Sequence, residues 1–266
     1  MSSDSSSPDD IEYEFGNPFP GRILAPEAWV QTAWKRLPEG LIDWPSVYGR
    51  HAPVVIDLGC GNGRSVLAHA IRRPEANILG VDILPVVIRY ATRRANQRGM
   101  GHVRFAVIGG FELLERHTPA GTVDEIHCYH PQPYYRKEEI GKRLITPDFL
   151  TLVCRALSPG GQFVIQTDHP AYWAYIQAMV PLFMEFRSHP EPWSDGLRSR
   201  RETIAKGQGL SIFRGVGTRR PDWDKAQARE QARQLPPPIF NADRRLRETD
   251  AIESGRPPQR RGRGRR

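Results

Sequence analysis

Cysteine is scarce in this chain of 266 residues, where it occurs at Cys60, Cys128 and Cys154. Three thiols so far apart make neither the paired framework of a small secreted domain nor the spacing of a zinc site. Long apolar runs are lacking too, since no stretch approaches the roughly 18 residues that a membrane span needs. The first ten residues are polar and acidic, which is unlike a signal peptide. We therefore expect a cytoplasmic protein with no membrane partner.

Acidic residues are under-represented mainly towards the end of the chain. The net charge is +8, but residues 219–266 alone hold 14 Lys and Arg against 7 Asp and Glu, and residues 255–266 carry six arginines and no acid. The first ten residues, rich in Ser, Asp and Pro, have almost nothing to bury. We predict a disordered N-terminus over residues 1–20, one globular domain over 21–220, and a basic, flexible C-terminal arm over 221–266. The oligomeric state stays open, and a monomer is the expected state.

Strand and helix patterns alternate between residues 54 and 167. Short apolar runs predict strands over 54–56, 77–81, 102–108, 123–129 and 162–166. Amphipathic segments predict helices over 64–72, 85–97 and 147–157. This alternation predicts an α/β fold with a mainly parallel sheet. Two further helices are expected, a short one over Pro26–Leu37 and a polar one over Asp222–Leu235.

A glycine-rich turn follows the first predicted strand, in the sequence VVIDLGCGNGRS from Val54 to Ser65. Gly59, Gly61 and Gly63 give G-x-G-x-G, which lets backbone approach a ligand closely. The dinucleotide fingerprint G-x-G-x-x-G is not met, because Arg64 stands at its third glycine. The Lys-Ser/Thr pair of the ATP- and GTP-binding phosphate loop is lacking as well. The turn therefore favours a ligand without phosphates.

An acid stands at the tip of each of the first two predicted strands. Asp82 ends the second strand, 25 residues after Asp57, where a carboxylate can accept both hydroxyls of a ribose. Asp57 precedes the glycines and can hold an ammonium group or order the waters beside it. A ribose, an ammonium group and no phosphate together describe S-adenosyl-L-methionine. The alternative is a pair of ordinary strand-end turns.

Several further blocks resemble one known family, the bacterial tRNA (guanine-N7)-methyltransferases, over about residues 41–214. The family's F-G-R-x-A-P corresponds to Tyr48–Pro53, and its F-P-D-P-W-x-K to His130–Arg136. Its K-R-R…P-x-F-L block, its T-D pair and its R-P-x-T-K-F-E block correspond to Lys142–Leu150, Thr167-Asp168 and Arg200–Lys206. The Pro-x-Pro and Thr-Asp blocks are more specific signals than the glycine turn.

The resemblance implies a class I methyltransferase fold, Rossmann-like, with a seven-stranded sheet flanked by helices. It also implies S-adenosyl-L-methionine as the cofactor, tRNA as the partner and a variable-loop guanine as the methyl acceptor. The implied cofactor-binding residues are Asp57, Gly59, Gly61, Gly63, Asp82 and Gly109. The implied substrate-binding residues are Arg136, Asp168, Thr203 and Lys206, and Gln132 takes the catalytic position. Asp168 could equally cap the helix that begins at Pro170.

Three ligand-facing positions depart from the family pattern. Gln132 replaces the aspartate of Pro-Asp-Pro, Gly109 stands where an acid would address the adenine, and Lys206 replaces a glutamate. These departures predict a slower enzyme. They also leave open two alternatives, a methyltransferase with a shifted substrate and a non-catalytic RNA-binding protein on the same scaffold. No metal site is expected from His127 and its neighbours, because alternation along a strand sends adjacent side chains to opposite faces.

Overall fold

The computed structural model describes residues 10–135, 137–194, 196–236 and 239–255. Residues 1–9, the arginine-rich residues 256–266 and the predicted substrate residue Arg136 lie outside this part of the chain. Within it, two short strands form an N-terminal hairpin, β1 (Tyr13–Glu14) and β2 (Asn17–Pro18). The main sheet contains β3 (Val54–Leu58), β4 (Asn77–Asp82), β5 (Val103–Val107), β6 (Val123–Tyr129), β7 (Leu157–Thr167), β8 (Glu185–Ser188) and β9 (Phe213–Thr218).

Nine helices are assigned within the described residues. They are α1 (Trp44–Tyr48), α2 (Arg64–Arg72), α3 (Pro85–Gln97), α4 (Gly110–Glu112), α5 (Pro147–Ala156), α6 (Pro170–Met179), α7 (Arg200–Gly207), α8 (Lys225–Arg233) and α9 (Arg244–Glu253). A π-helical turn over Leu113–His117 continues α4, and 3-10 turns cover Lys137–Lys142 and Val180–Leu182. None of the described helices combines the length and the apolar composition that crossing a bilayer requires.

The seven strands of the main sheet have the order β5-β4-β3-β6-β7-β9-β8. All pairs from β5 to β7 are parallel, and β9 pairs antiparallel with β7 and β8. The central strand β3 is buried at every position, as its continuous apolar run predicts. The predicted α/β fold with a mainly parallel, seven-stranded sheet flanked by helices is confirmed.

Helices cover both faces of the sheet. On one face α2 and α3 bury an apolar cluster that includes Val66, Leu67, Ile88 and Phe105. On the other face α5, α6 and α8 pack over a larger cluster that reaches Phe240. Since both faces are covered, ligands can reach the central strands only at their ends. The fold therefore places any cleft at the carboxyl edge of the sheet.

The prediction of a helix over Pro26–Leu37 was wrong. Only Pro26–Ala28 forms a 3-10 turn, and the residues after it run extended beside β5. The amide of Trp34 donates to the carbonyl oxygen of Phe105 at 2.7 Å, and the hydroxyl of Thr32 donates to Asn96 Oδ1 at 2.8 Å. The segment covers the edge of β5, because pairing an open sheet edge satisfies backbone groups that a short isolated helix would leave exposed.

The described residues near each end of the chain are more ordered than the composition indicates. In the expected disordered N-terminus, the hairpin of β1 and β2 precedes Phe19, which is 2 % exposed. The guanidinium groups of Arg64 and Arg94 lie 4.6 and 4.3 Å from the centre of the Phe19 ring. Stacking of a buried aromatic ring with cations holds this segment in place.

The expected flexible arm differs in the same way. Helix α8 confirms the polar helix predicted near Asp222–Leu235, and its Ala228 and Ala232 are buried against the larger apolar cluster. Beyond it, Phe240 is 4 % exposed, and α9 buries Leu246 and Thr249. The part of the arm that the structure describes therefore packs on the folded body.

Candidate active site

A cleft of about 2750 Å³ opens at the carboxyl ends of β3, β4, β5 and β6. Its walls come from the loops that follow these four strands and from the region around α7 and α9. Five of the predicted site residues line it: Gly59, Gly61, Asp82, Gly109 and Gln132. The glycine turn and the Pro-Gln-Pro segment, which are far apart in sequence, therefore share one cavity.

The glycine turn between β3 and α2 serves two purposes. Gly59 and Gly61 have φ angles of 76° and 53°, and a Cβ atom at either would meet nothing within 4 Å. Side chains there would project into the space that a ligand needs. Gly63 differs, because its Cβ would lie 2.9 Å from Cβ of Ala91 in α3. The third glycine, predicted to bind the cofactor, instead permits close packing of α2 against α3.

Asp82 is fixed at the tip of β4 by backbone hydrogen bonds. Its Oδ2 accepts from the amide of Gly61 at 3.1 Å, and its Oδ1 accepts from the amide of Leu84 at 2.9 Å. Partial burial raises the pKa of this carboxyl, and the amide hydrogen bonds oppose that rise. The carboxylate lines the cleft with lone pairs to spare, as an acceptor for two hydroxyl groups must.

Asp57 lies deeper, behind the glycine turn. It is 2 % exposed, and neither carboxylate oxygen has a hydrogen-bond partner among the described residues. Burial raises the pKa of Asp57 to about 7, although the nearby Ser65 hydroxyl and Arg198 guanidinium favour the charged form. A buried polar group without a partner is uncommon in a folded protein. An approaching cationic group would satisfy this carboxylate, as the sequence predicts.

The Pro131-Gln132-Pro133 segment forms a rigid ledge in the wall of the cleft. His130 and Tyr134 on either side have positive φ angles, 53° and 44°. Such backbone strain in residues other than glycine clusters at functional sites. The Arg143 guanidinium donates to the carbonyl oxygens of Pro133 at 2.6 Å and Tyr134 at 2.9 Å, which holds the ledge. Gln132 itself is exposed to the cleft.

Asp168 is a buried ion-pair partner rather than an open ligand. Its Oδ1 accepts from Nδ1 of His130 at 3.1 Å, and its Oδ2 accepts from Nε of Arg201 at 2.8 Å. Burial opposes ionisation, but the contacts with His130 and Arg201 outweigh it and lower the pKa of Asp168. The residue lines a small recess beside Gln132. The cap of α6 is the next residue, His169, whose Nδ1 accepts from the amide of Tyr172.

Two other predicted substrate residues, Thr203 and Lys206, line neither the cleft nor this recess. Thr203 lies within α7, is 6 % exposed, and its hydroxyl donates to the carbonyl oxygen of Ser199. Lys206 is exposed near the end of the same helix, and neither it nor Thr203 is among the cleft-lining residues. The start of α7 contributes Arg200 and Arg201 to the cleft instead.

Sequence reasoning missed two further groups at the site. Glu14, from the hairpin expected to be disordered, lines the cleft and accepts from Asn62 Nδ2 at 2.7 Å. Arg201 joins Asp168 to α9, where its Nη1 donates to Asp250 at 2.6 Å and Glu253 at 3.0 Å. The arginine run at 198–201 was a signal for the second group. No sequence signal marked Glu14.

The chain also matches known protein families and folds. A family of proteins described as putative methyltransferases matches residues 51–206, which is more than half of the chain. The chain belongs to this methyltransferase family. Among curated relatives, the tRNA (guanine-N(7)-)-methyltransferase of Halorhodospira halophila is 33 % identical over 144 residues, covering 54 % of this chain and 62 % of that relative. The enzyme of the same name from Methylococcus capsulatus is 32 % identical over 156 residues, covering 57 % and 68 %.

These matches make the chain a divergent member of the tRNA (guanine-N7)-methyltransferase family, as the sequence motifs indicated. It spans about two thirds of the length of these two relatives. Among solved structures, the 16S rRNA methyltransferase KamB superposes with a TM-score of 0.54 at 17 % identity, covering 72 % of this chain and 99 % of that one. At that identity the superposition supports the methyltransferase fold.

Proposed function

We propose that this protein transfers a methyl group from S-adenosyl-L-methionine to N7 of a guanine in tRNA, in the cytoplasm. One observation carries the proposal: the glycine turn, Asp82 and the ledge with Gln132 all line one cleft. The family named by the curated relatives supplies the substrate class. The target nucleotide, a guanine of the variable loop, rests on the motif resemblance.

The residues present fit the cofactor. The Asp82 carboxylate would accept hydrogen bonds from the ribose hydroxyls. The open space beside Gly59 and Gly61 would let the cofactor lie close to the protein backbone. The partnerless carboxylate of Asp57 would hold the ammonium group, directly or through water. Gly109 lines the same cleft without a side chain, so the adenine contact expected of an acid there is lacking. When bound, S-adenosyl-L-methionine supplies an electrophilic methyl group on a sulfonium.

Guanine N7 carries a lone pair and no proton, so the protein needs no base to deprotonate it. The task of the residues is to align the acceptor atom with the methyl group and to exclude water. The Gln132 ledge is stiff enough to position a base, because two prolines restrict it and Arg143 holds its carbonyl oxygens. Tyr134 also lines the cleft and presents a ring on which an extruded base can stack.

Gln132 sets the expected rate. Methylation puts positive charge on the purine, and a carboxylate at this position would stabilise that charge. Gln132 keeps a carbonyl acceptor without the charge, and losing one electrostatic stabiliser lowers turnover by on the order of 10²–10³. Asp168 does not replace it, because its carboxylate oxygens accept from His130 and Arg201. Lys206 stands where the family pattern has a glutamate, so it offers no carboxylate either. The proposal is therefore a slow enzyme.

The direct test is to incubate the purified full-length chain with methyl-labelled cofactor and bulk tRNA, and then to separate the nucleosides. We expect the label in 7-methylguanosine. An Asp82→Ala variant is expected to bind the cofactor at least about tenfold more weakly, because it loses charge-assisted hydrogen bonds to the ribose. Label in another nucleoside would indicate the shifted substrate. Cofactor binding by calorimetry without any transfer would indicate the non-catalytic RNA-binding protein.

A further inference from the structure

A cluster of polar side chains is buried between α2 and β6, on the face of the sheet that is otherwise apolar. His69 comes from α2, while Glu125 and His127 occupy alternate positions of β6 and so share one face. His69 is 6 % exposed and His127 is 1 % exposed. Apolar residues such as Val55, Val66 and Ala70 pack on the same side of the sheet. Glu125 and His127 contact each other, and Arg73 and Tyr129 add polar contacts to them.

The three groups converge on one point. One ligand atom from each residue lies within 4.8 Å of the ligand atoms of the other two. Oε2 of Glu125 is 2.9 Å from His127 Nε2 and 3.7 Å from His69 Nε2. Metal-to-ligand distances of about 2.0–2.2 Å around a tetrahedral ion require ligand atoms roughly 3.3–3.5 Å apart. Small side-chain movements would reach that geometry.

One atom of the cluster has no partner. Nε2 of His69 is buried, points towards the Glu125 carboxylate, and makes no hydrogen bond with any described residue. A buried imidazole nitrogen without a hydrogen-bond partner is a candidate metal ligand.

The surrounding groups can orient these ligands. Arg73 donates to Oε1 of Glu125, which leaves Oε2 facing the histidines. Nε2 of His127 donates to Glu125 Oε2 at 2.9 Å, and a metal ion would displace that proton. The Tyr129 hydroxyl, 3.1 Å from Nδ1 of His127, could then accept a proton carried on Nδ1. Arg72 lies 3.4 Å from Nδ1 of His69, and it must turn outward for that nitrogen to carry the proton. Arg72 is exposed, which gives it room to do so.

We propose that His69, Glu125 and His127 bind one divalent transition-metal ion with the ligand preferences of zinc. Two histidines and one carboxylate are a zinc donor set, and three protein ligands leave a fourth position for water. The Glu125 side chain is 19 % exposed, which provides an entry path. The ion would tie α2 to the centre of the sheet. The methyl transfer proposed above uses none of the three residues, so the two proposals stand separately.

The test uses untagged, full-length protein stripped with a chelator and titrated with Zn²⁺ against a chromophoric competitor. We expect one equivalent bound per chain. His69→Gln, Glu125→Gln and His127→Gln should each weaken binding by more than about tenfold, because loss of even an outer-shell partner costs 10–100-fold. His102→Gln is the matched control: its ring lies on the same face, at the carbonyl oxygen of Ala70, and outside the cluster. That control should bind as the wild type does.

A readout on the wild type alone covers the case in which the variants do not fold. Co²⁺ bound by this donor set should give the intense visible absorption of a tetrahedral ion, without a thiolate charge-transfer band. A weak octahedral spectrum would overturn the proposal. So would less than one equivalent of Zn²⁺ on the wild type, or equal binding by the folded cluster variants and the His102→Gln control.

Discussion

Asp57 and Asp82 end neighbouring parallel strands, yet the structure gives them different environments. Asp82 lines the cleft with both oxygens held by backbone amides. Asp57 is buried behind the glycine turn without a hydrogen-bond partner among the described residues. The sequence predicted both acids at the strand tips, since parallel strands end at a common edge. It could not predict their burial, because burial depends on how the Gly59–Gly63 turn folds over β3.

The pH dependence of stability tests this burial at Asp57. The pKa of its carboxyl rises from 3.8 to about 7 in the folded protein, so the folded state binds this proton more tightly than the unfolded state does. The stabilisation is full below pH 4 and is lost as the pH rises from about 4 to about 7. Asp57→Asn stays neutral and should escape this loss. Its melting temperature should exceed that of the wild type by more at pH 8 than at pH 5.

Calorimetric melting of the protein without cofactor, at both pH values, measures this difference. Asp222→Asn, at an exposed position, is the control and should follow the wild type. The same Asp57→Asn variant should bind S-adenosyl-L-methionine more weakly, because it has no charge for the ammonium group. An Asp57→Asn melting difference that does not change with pH would contradict a raised pKa at this residue.

Gln132→Asp is expected to raise turnover, by up to about 10²–10³, if the side chain at this position faces the target base. A carboxylate there would stabilise the charge that develops on the purine. Gln132→Asn is the control, since it has the size of the aspartate without its charge. Single-turnover rates at saturating cofactor separate this effect from binding. Equal rates for the Asp and Asn variants would show that the site has adapted to an uncharged residue.

At the scale of secondary-structure elements, the apolar runs predicted strands β3 to β7 of the main sheet correctly. The apolar spacing after Pro26 predicted a helix where the chain is extended. Strands β3 to β6 are buried on both faces, so their sequences carry a strong signal. The segment after Pro26 has the apolar spacing of a helix, but it pairs with the edge of β5. Tertiary pairing overrode local propensity there, and an isolated sequence window does not contain that information.

The docking of the C-terminal segment was missed for a related reason. The segment around α9 is polar and rich in arginine, and one aromatic residue anchors it. The ring centres of Phe240 and Tyr172 are 4.6 Å apart. The Arg143 guanidinium lies 4.0 Å from the centre of the Phe240 ring. A single buried residue outside any periodic pattern gives no sequence signal for packing.

Phe240→Ala should therefore destabilise the protein by about 3–5 kcal/mol, the usual cost of removing a buried phenyl ring. The adjacent Ile239 is 77 % exposed, so Ile239→Ala should change the stability by less than about 0.5 kcal/mol. Urea unfolding of both variants gives the two free energies. If the Phe240 and Ile239 variants were equally stable, the segment would not be docked as the structure has it.

For the whole molecule, charge is divided between a nearly neutral body and a basic end. Residues 256–266 add six arginines and no acid to a body with a net charge of about +1 up to residue 218. Arginines on a Gly- and Pro-rich segment suit contacts with phosphates, which carry affinity without sequence preference. The cleft, rather than this segment, should select the nucleotide.

Truncation after Gly255 should weaken tRNA binding at low salt and leave the methylated position unchanged. Six phosphate contacts would contribute up to about 4 to the slope of log affinity against log salt concentration, at roughly 0.7 per contact. The slope of the truncated chain should be smaller by up to that amount. Filter binding over a range of salt concentrations measures it. Identical slopes for the two chains would show that residues 256–266 do not contact the RNA.

The central claim is that the cleft directs methyl transfer to N7 of a guanine. The most direct measurement compares two tRNAs that differ only at the target nucleotide, one with guanosine and one with 7-deazaguanosine, in which carbon replaces N7. With the full-length protein and labelled S-adenosyl-L-methionine, we predict transfer to the first tRNA and none to the second at that position. Equal transfer to both tRNAs, or transfer to neither, would contradict the account.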